Sequence, residues 1–182
     1  MTAVSGITPS GRLTLGNYLG ALRRFASGTQ EPAFYFVADL HAMTTRHDPT
    51  RLSTLTRETA LLMLASGVPA ESVFIQSSVP AHARLAYLLE CTAYVGELSR
   101  MVQYKEKGRG KPMTRASLFT YPCLMAADIL LYGAHRCPSA ATRTNTWNLP
   151  VTWRSGSTAP TARRLSCPSS SARRLRGECG IC

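Results

Sequence analysis

The run from Ser5 to Asn17, S-G-I-T-P-S-G-R-L-T-L-G-N, constrains this chain more than any other, because an apolar strand ending breaks there into a turn and re-emerges as a helix near Leu15. Two glycines and a proline permit a tight strand-to-helix connection. The helix start would point unpaired backbone N–H groups and a positive dipole end at the turn, which is the chemistry of an anion site. Thr14 and Asn17 add side-chain donors beside it. The spacing is neither the Walker pattern nor the G-x-G-x-x-G fingerprint. An ordinary β-turn-α connection of an α/β fold has the same outline, so spacing alone leaves both readings open.

The elements that follow fit such a fold. Ala33 to Asp39, A-F-Y-F-V-A-D, is a short continuous apolar run after Pro32 and reads as a strand buried on both faces of a parallel sheet. Asp39 and His41 sit at its C-terminal edge, where doubly wound sheets bind ligands. Asp48-Pro49-Thr50 supplies cap chemistry for a helix through about Ser66, with Leu52, Leu55, Thr59 and Leu62 on one stripe and Gly67 as the stop. Val73 to Gln76 reads as a second short strand. Pro80 to Tyr94 reads as a helix presenting Ala83, Ala86, Tyr87 and Leu89 to a core. A basic loop from Lys105 to Pro112 then leads to a helix carrying Leu124, Met125, Asp128 and Leu131. Alternating strands and helices predict an α/β parallel sheet.

Charge is unevenly distributed along the chain. The formal net charge of +11 raises a nucleic-acid reading. Residues 1–134 hold 13 Lys and Arg against 9 Asp and Glu, whereas residues 135–182 hold eight Arg against one Glu, so the excess belongs to the last quarter. No apolar run reaches the roughly 18 residues that a membrane span needs, and the start lacks a basic segment followed by an apolar stretch, which predicts a cytoplasmic protein. Cys91 and Cys123 lie in apolar helical patterns and read as buried small hydrophobes. Cys179-x-x-Cys182 has metal or redox spacing but no second pair, so no metal site is assigned.

Four runs in order resemble the tryptophanyl-tRNA synthetase family. They are Gly6 to Leu22, where T-L-G-N stands in for the class I HIGH tetrapeptide, Val37 to Ala42 (V-A-D-L-H-A), Gly96 to Lys107 (G-E-L-S-R-M-V-Q-Y-K-E-K) and Tyr121 to Tyr132 (Y-P-C-L-M-A-A-D-I-L-L-Y). Tyrosyl-tRNA synthetases share the architecture, but G-N-Y and M-A-A-D-I-L-L-Y look like the tryptophan branch. The resemblance implies an incomplete Rossmann-like doubly wound parallel sheet. It implies ATP with Mg2+, L-tryptophan and tRNA(Trp) as partners, and a homodimer with its interface between Ser78 and Met101. Thr8, Ser10, Gly11, Thr14, Gly16 and Asn17 would meet ATP, although family members carry Gln or Lys where Thr8 stands. Thr14, Asn17 and Gln103 would serve adenylate formation, Asp128 would accept the indole N–H, Met125 would pack on the ring, and His41 would border the pocket. Without the resemblance, Thr14 and Asn17 read as a helix cap, Asp128 as a solvated helix acid and His41 as a capped or core residue.

Residues 1–134 thus read as the N-terminal part of a class I synthetase catalytic domain, and residues 135–182 as something else. Ser, Thr, Pro and Arg make up 25 of those 48 residues, and no helical or strand period persists there. Regrouping the possible codons by one base lets Arg136 to Arg143 yield Val-Pro-Val-Gly-Gly-Asp-Gln, and Arg143 to Thr152 yield Asp-Gln-His-Val-Glu-Leu-Ala-Arg-Asp. Both runs resemble the family's continuation. Trp147-Asn148 is the strict case, since its only codons force GAA, glutamate, where the family has it. The reading is a single-base loss near Arg136 and an out-of-frame tail. The family's K-M-S-K-S loop and anticodon-reading helical domain are missing from the sequence, so adenylation is expected to be severely impaired or absent. A non-catalytic remnant binding tryptophan or ATP weakly, and a basic RNA-binding module built on the Arg-rich tail, are the alternatives.

Overall fold

The computed structural model of the protein describes residues 2–27, 32–108 and 111–134. The Arg-rich tail with Cys179 and Cys182, and with it the RNA-binding reading, lies outside the described residues.

Three parallel strands form the sheet, in the order β1 (Ala3–Ile7), β2 (Ala33–Val37), β3 (Val73–Ile75). Val4 pairs with Phe34 and Ile7 with Val37, while Tyr35 pairs with Val73 and Val37 with Ile75. This register brings all three carboxyl ends to one edge. Alternation along β2 divides the core into two layers. On one face Tyr35 and Val37 pack with Ile7, Leu22, Phe25, Met63 and Val68, and the Phe25 and Tyr35 rings stack at 4.3 Å. On the other, Phe36 packs with Val4, Ala38 and Ala134, flanked by Phe34, Phe74, Ile129 and Tyr132. A sheet covered on both faces is what continuous apolar strands require.

The helical segment after β1 begins as α1 (Leu15–Asn17), passes through a π-helical turn at Tyr18–Leu22 and ends as α2 (Arg23–Ala26). After β2 come α3 (Asp39–Ala42) and α4 (Pro49–Ala65). Asp48 caps α4 by accepting the Arg51 N–H at 2.8 Å, and Gly67, with φ of 90°, follows its end in the left-handed conformation that favours glycine. The buried stripe of α4 differs from expectation. Leu55 and Thr59 face the core, but Met63 replaces Leu62, which stands exposed, because spacing by four keeps the row over β2 and β3.

Beyond β3 run α5 (Ala81–Glu90), α6 (Val95–Leu98), α7 (Val102–Lys107) and α8 (Ala116–Leu130). The expected helix over 80–94 is therefore shorter, ending at Glu90, and a turn separates it from α6. Ala86 is buried, but Ala83 and Tyr87 face outward, and His82 takes the inward place. Part of the expected basic loop is α7. Cys123 is fully buried and its thiol is pushed up to about 12, by burial first and then by the Glu90 charge, whereas Cys91 is exposed at the end of α5 rather than buried. Among the described residues no helix is long and apolar enough to cross a membrane.

Candidate functional site

The carboxyl edge of the sheet carries two unlike groups of polar side chains. The first is built on Asp128, which α8 projects inward together with Met125, three residues before it on the same helix face. Asp128 is 3% exposed, so its charge exists only because other groups compensate it. Oδ2 accepts from His41 Nε2 at 2.8 Å, from the first turn after β2. Oδ1 accepts from Gln76 Nε2 at 2.8 Å, from the residue after β3, and from His82 Nδ1 at 2.6 Å, from the first turn of α5. His82 is completely buried, and its Nε2 lies 2.8 Å from the Tyr132 hydroxyl.

Burial alone pushes the Asp128 carboxyl up. The hydrogen bonds from His41, His82 and Gln76, with the charge on His41, outweigh that and hold it below its ordinary 3.8. The Tyr132 phenol moves the other way, up to about 12, through burial first and then the Asp128 charge. A carboxylate offers about four acceptor positions, and three are taken. One acceptor position on Oδ2 remains, and so does Gln76 Oε1, which is buried without a hydrogen-bond partner among the described residues. The arrangement is suited to an N–H donor with an apolar body.

The second group is the glycine-rich turn. Asn17 Oδ1 accepts both the Thr14 backbone N–H and the Thr14 hydroxyl, each at 2.8 Å. That occupies the amide oxygen and leaves the amide N–H2 as the donor of this side chain. The Thr14 hydroxyl is spent on Asn17, so the two residues form the helix cap that their types allow. Ser10 and Gly16 are exposed, Thr8 and Gly11 half-buried. Neither Gly11 nor Gly16 has a positive φ. A Cβ on Gly16 would meet only Thr14 Oγ1 at 3.5 Å, and one on Gly11 nothing within 4 Å. The tight turn therefore does not itself require glycine at either position.

Asp39 links the two strand ends. Its Oδ1 accepts the N–H of Leu40 and of Ser77, each at 3.0 Å. Gln103 is half-buried on α7, which packs on α8, and it makes no hydrogen bond to the Asp128 group among the described residues. A separate cleft of about 440 Å³ between α7 and the start of α8 is lined by Tyr104, Lys111, Thr114, Arg115 and Phe119. Among the described residues no three His, Cys, Asp or Glu side chains are grouped to hold a metal ion.

Of the residues anticipated from sequence, His41, Met125 and Asp128 are brought together in a buried site and Thr14 with Asn17 in an exposed one. Gln76, His82 and Tyr132 were not anticipated. A histidine in the first turn of the helix that comes next after a strand was the available signal for His82.

A parallel sheet with polar side chains gathered at its carboxyl edge defines the class as an α/β fold of the Rossmann-like kind. Residues 1–139 match the family described as tRNA synthetases class I (W and Y), and the chain belongs to that family. It is 53% identical over 147 residues to tryptophan--tRNA ligase 1 of Streptomyces coelicolor, covering 76% of this chain and 44% of that protein. It is 52% identical over 137 residues to the tryptophan--tRNA ligase of Caldanaerobacter subterraneus, covering 74% and 42%. The tryptophanyl-tRNA synthetase of Mycoplasma pneumoniae superposes with a TM-score of 0.70 at 37% identity, covering 76% of this chain and 41% of that one. That of Campylobacter jejuni, in complex with ADP and tryptophan, superposes with a TM-score of 0.68 at 34% identity, covering 74% and 43%. The chain spans less than half the length of the curated relatives it matches.

Proposed function

We propose that this chain carries the front part of the active site of a tryptophan–tRNA ligase. In that reaction a tryptophan carboxylate oxygen attacks the α-phosphorus of ATP, the bond to the β-phosphate breaks, and pyrophosphate leaves. The tryptophanyl group then passes from the adenylate to tRNA(Trp). The substrate carboxylate is already a nucleophile, so no general base is needed, and the protein's share is positioning and charge stabilisation. The observation that carries the reading is the Asp128 group: a buried, ionised acceptor with one position free, beside the buried Met125. The indole of tryptophan is a donor with an apolar body, which is its complement.

ATP belongs at the glycine-rich turn. Open space at Gly11 and Gly16, with no backbone need for glycine, fits the close approach of a nucleotide, and the Asn17 amide N–H2 is left to donate to a phosphate. Thr8 and Ser10 lie at the same turn. Gln103 serves the activation step from α7, and His41 borders the amino-acid pocket. Mg2+ enters on the ATP phosphates. The protein works in the cytoplasm. In the intact protein Tyr87, Leu88, Tyr94 and Val95, all exposed, form part of a homodimer interface. Residues 1–134 are the synthetase portion and 135–182 an out-of-frame tail, a reading supported by the family match ending at residue 139.

Thermal shift of the full chain with L-tryptophan and with ATP-Mg2+ tests this, because a ligand that binds only the folded state raises the midpoint. Both ligands are expected to raise it. A chain, and its frame-restored counterpart, that respond to neither would overturn the proposal.

A further inference from the structure

Asp128 has two oxygens in different circumstances, and His82 makes the shorter of the two bonds that set them apart. Oδ1 is doubly committed, to His82 Nδ1 at 2.6 Å and to Gln76 Nε2 at 2.8 Å, whereas among the described residues Oδ2 has His41 alone. His82 is completely buried, and its ring is flanked by Phe36, Phe74 and Tyr132 with centroids 5.5 to 5.9 Å away. Its other nitrogen faces the Tyr132 hydroxyl at 2.8 Å. With the ring neutral the protons run one way: the Tyr132 hydroxyl donates to Nε2, and Nδ1–H donates to Oδ1. Tyr132 lies four residues after Asp128, so one segment of chain holds both ends of this relay.

We propose that His82 is a positioning residue for the ligand-recognising carboxylate: held by Tyr132, it locks Oδ1 and so presents Oδ2 alone, in a fixed direction, to a ring N–H. The inference rests on the tryptophan-site reading above and adds the source of its selectivity. A carboxylate free to rotate would offer either oxygen at varied angles, and hydrogen bonds weaken steeply as they bend. Fixing it makes the site demand a donor at one place. The site then rejects a ring of the same shape that has none, because Oδ2 would be left desolvated and unpaired.

The test compares L-tryptophan with β-(3-benzothienyl)-L-alanine, an isostere in which sulfur replaces the ring N–H, by titration calorimetry on the full chain. The wild-type chain is expected to prefer tryptophan by roughly tenfold to a hundredfold, the range of one hydrogen bond to a charged group. In His82→Leu the preference is expected to fall to within a few-fold of unity. His82→Asn, whose amide nitrogen can take the place of Nδ1, is expected to restore most of it. Tyr132→Phe, which removes one hydroxyl, is expected to give an intermediate preference and carries the test should circular dichroism show His82→Leu unfolded. A purely structural role for His82 would weaken both ligands alike and leave the ratio unchanged. An unchanged ratio in folded His82→Leu, or in Tyr132→Phe where that variant carries the test, overturns this inference while leaving the tryptophan site intact. A wild-type chain that binds neither compound overturns the tryptophan site and this inference together.

Discussion

The Asp128 group and the glycine-rich turn stand at the same sheet edge and are built on opposite plans. Asp128, His82 and Gln76 are nearly or wholly removed from water, and the carboxylate accepts from three side chains supplied by three separate segments. The Asn17 side chain bonds Thr14 across three residues, with Thr14 exposed and Asn17 half-buried. The first group is fully assembled in the unliganded chain, and its contacts tie separate segments of the fold together. The second is open and costs the fold little to alter. On the proposed function, selectivity and stability are coupled at one end of the edge and separate at the other.

The largest expected break in that contrast is Asp128→Ala. It strands three buried donors at once, and removing one partner of a buried polar cluster costs roughly 3–5 kcal/mol. Urea denaturation should show it as a large drop in midpoint. A change below 1 kcal/mol would mean that the cluster does not stabilise the fold.

Acid provides the next test. The folded Asp128 carboxyl is held below the unfolded 3.8, so its contribution is full above that value and is lost as pH falls toward the lower folded value. Stability of the wild-type chain should decline over that window, and Asp128→Asn should decline less steeply. Identical slopes for the two proteins would remove Asp128 from the acid response.

Asn17→Ala at the turn is expected to cost about 1 kcal/mol, the ordinary loss of a helix cap, while abolishing most ATP binding. Equal damage to stability at both ends of the edge would erase the distinction. The smallest effect belongs to Gly16→Ala. The added methyl meets only Thr14 Oγ1 at 3.5 Å, so stability should stay level or rise by up to about 1 kcal/mol, while ATP affinity falls. Unaltered ATP affinity in this variant would show that no nucleotide approaches the backbone there.

The same contrast explains what was legible in the sequence. The turn and its cap are local, since every participant lies between Thr8 and Asn17, and residue types alone announce them. Strand β2 and helix α4 were legible for the same reason, through a continuous apolar run and through Asp48, Pro49 and Gly67 at the helix ends. The donors to Asp128 lie 87, 52 and 46 residues away in sequence, and no local period marks a histidine or glutamine as someone's partner. His82 shows the limit well. It occupies the inward position of a helix whose apolar pattern assigned that place to Ala83 and Tyr87, because a charged acceptor across the interface outweighs the hydropathy of the ring. Motif resemblance supplied Asp128 and His41 but not Gln76 and His82, the other neighbours that keep the acid ionised.

Asp39 deserves a last thought, because it makes His41 and Gln76 dependent on each other. One of its oxygens bridges the backbone N–H of Leu40, after β2, to that of Ser77, after β3, and the two donors sit one residue beyond the first anchor and one residue before the second. A tug on either strand end is thereby relayed to both hands that grip the acid.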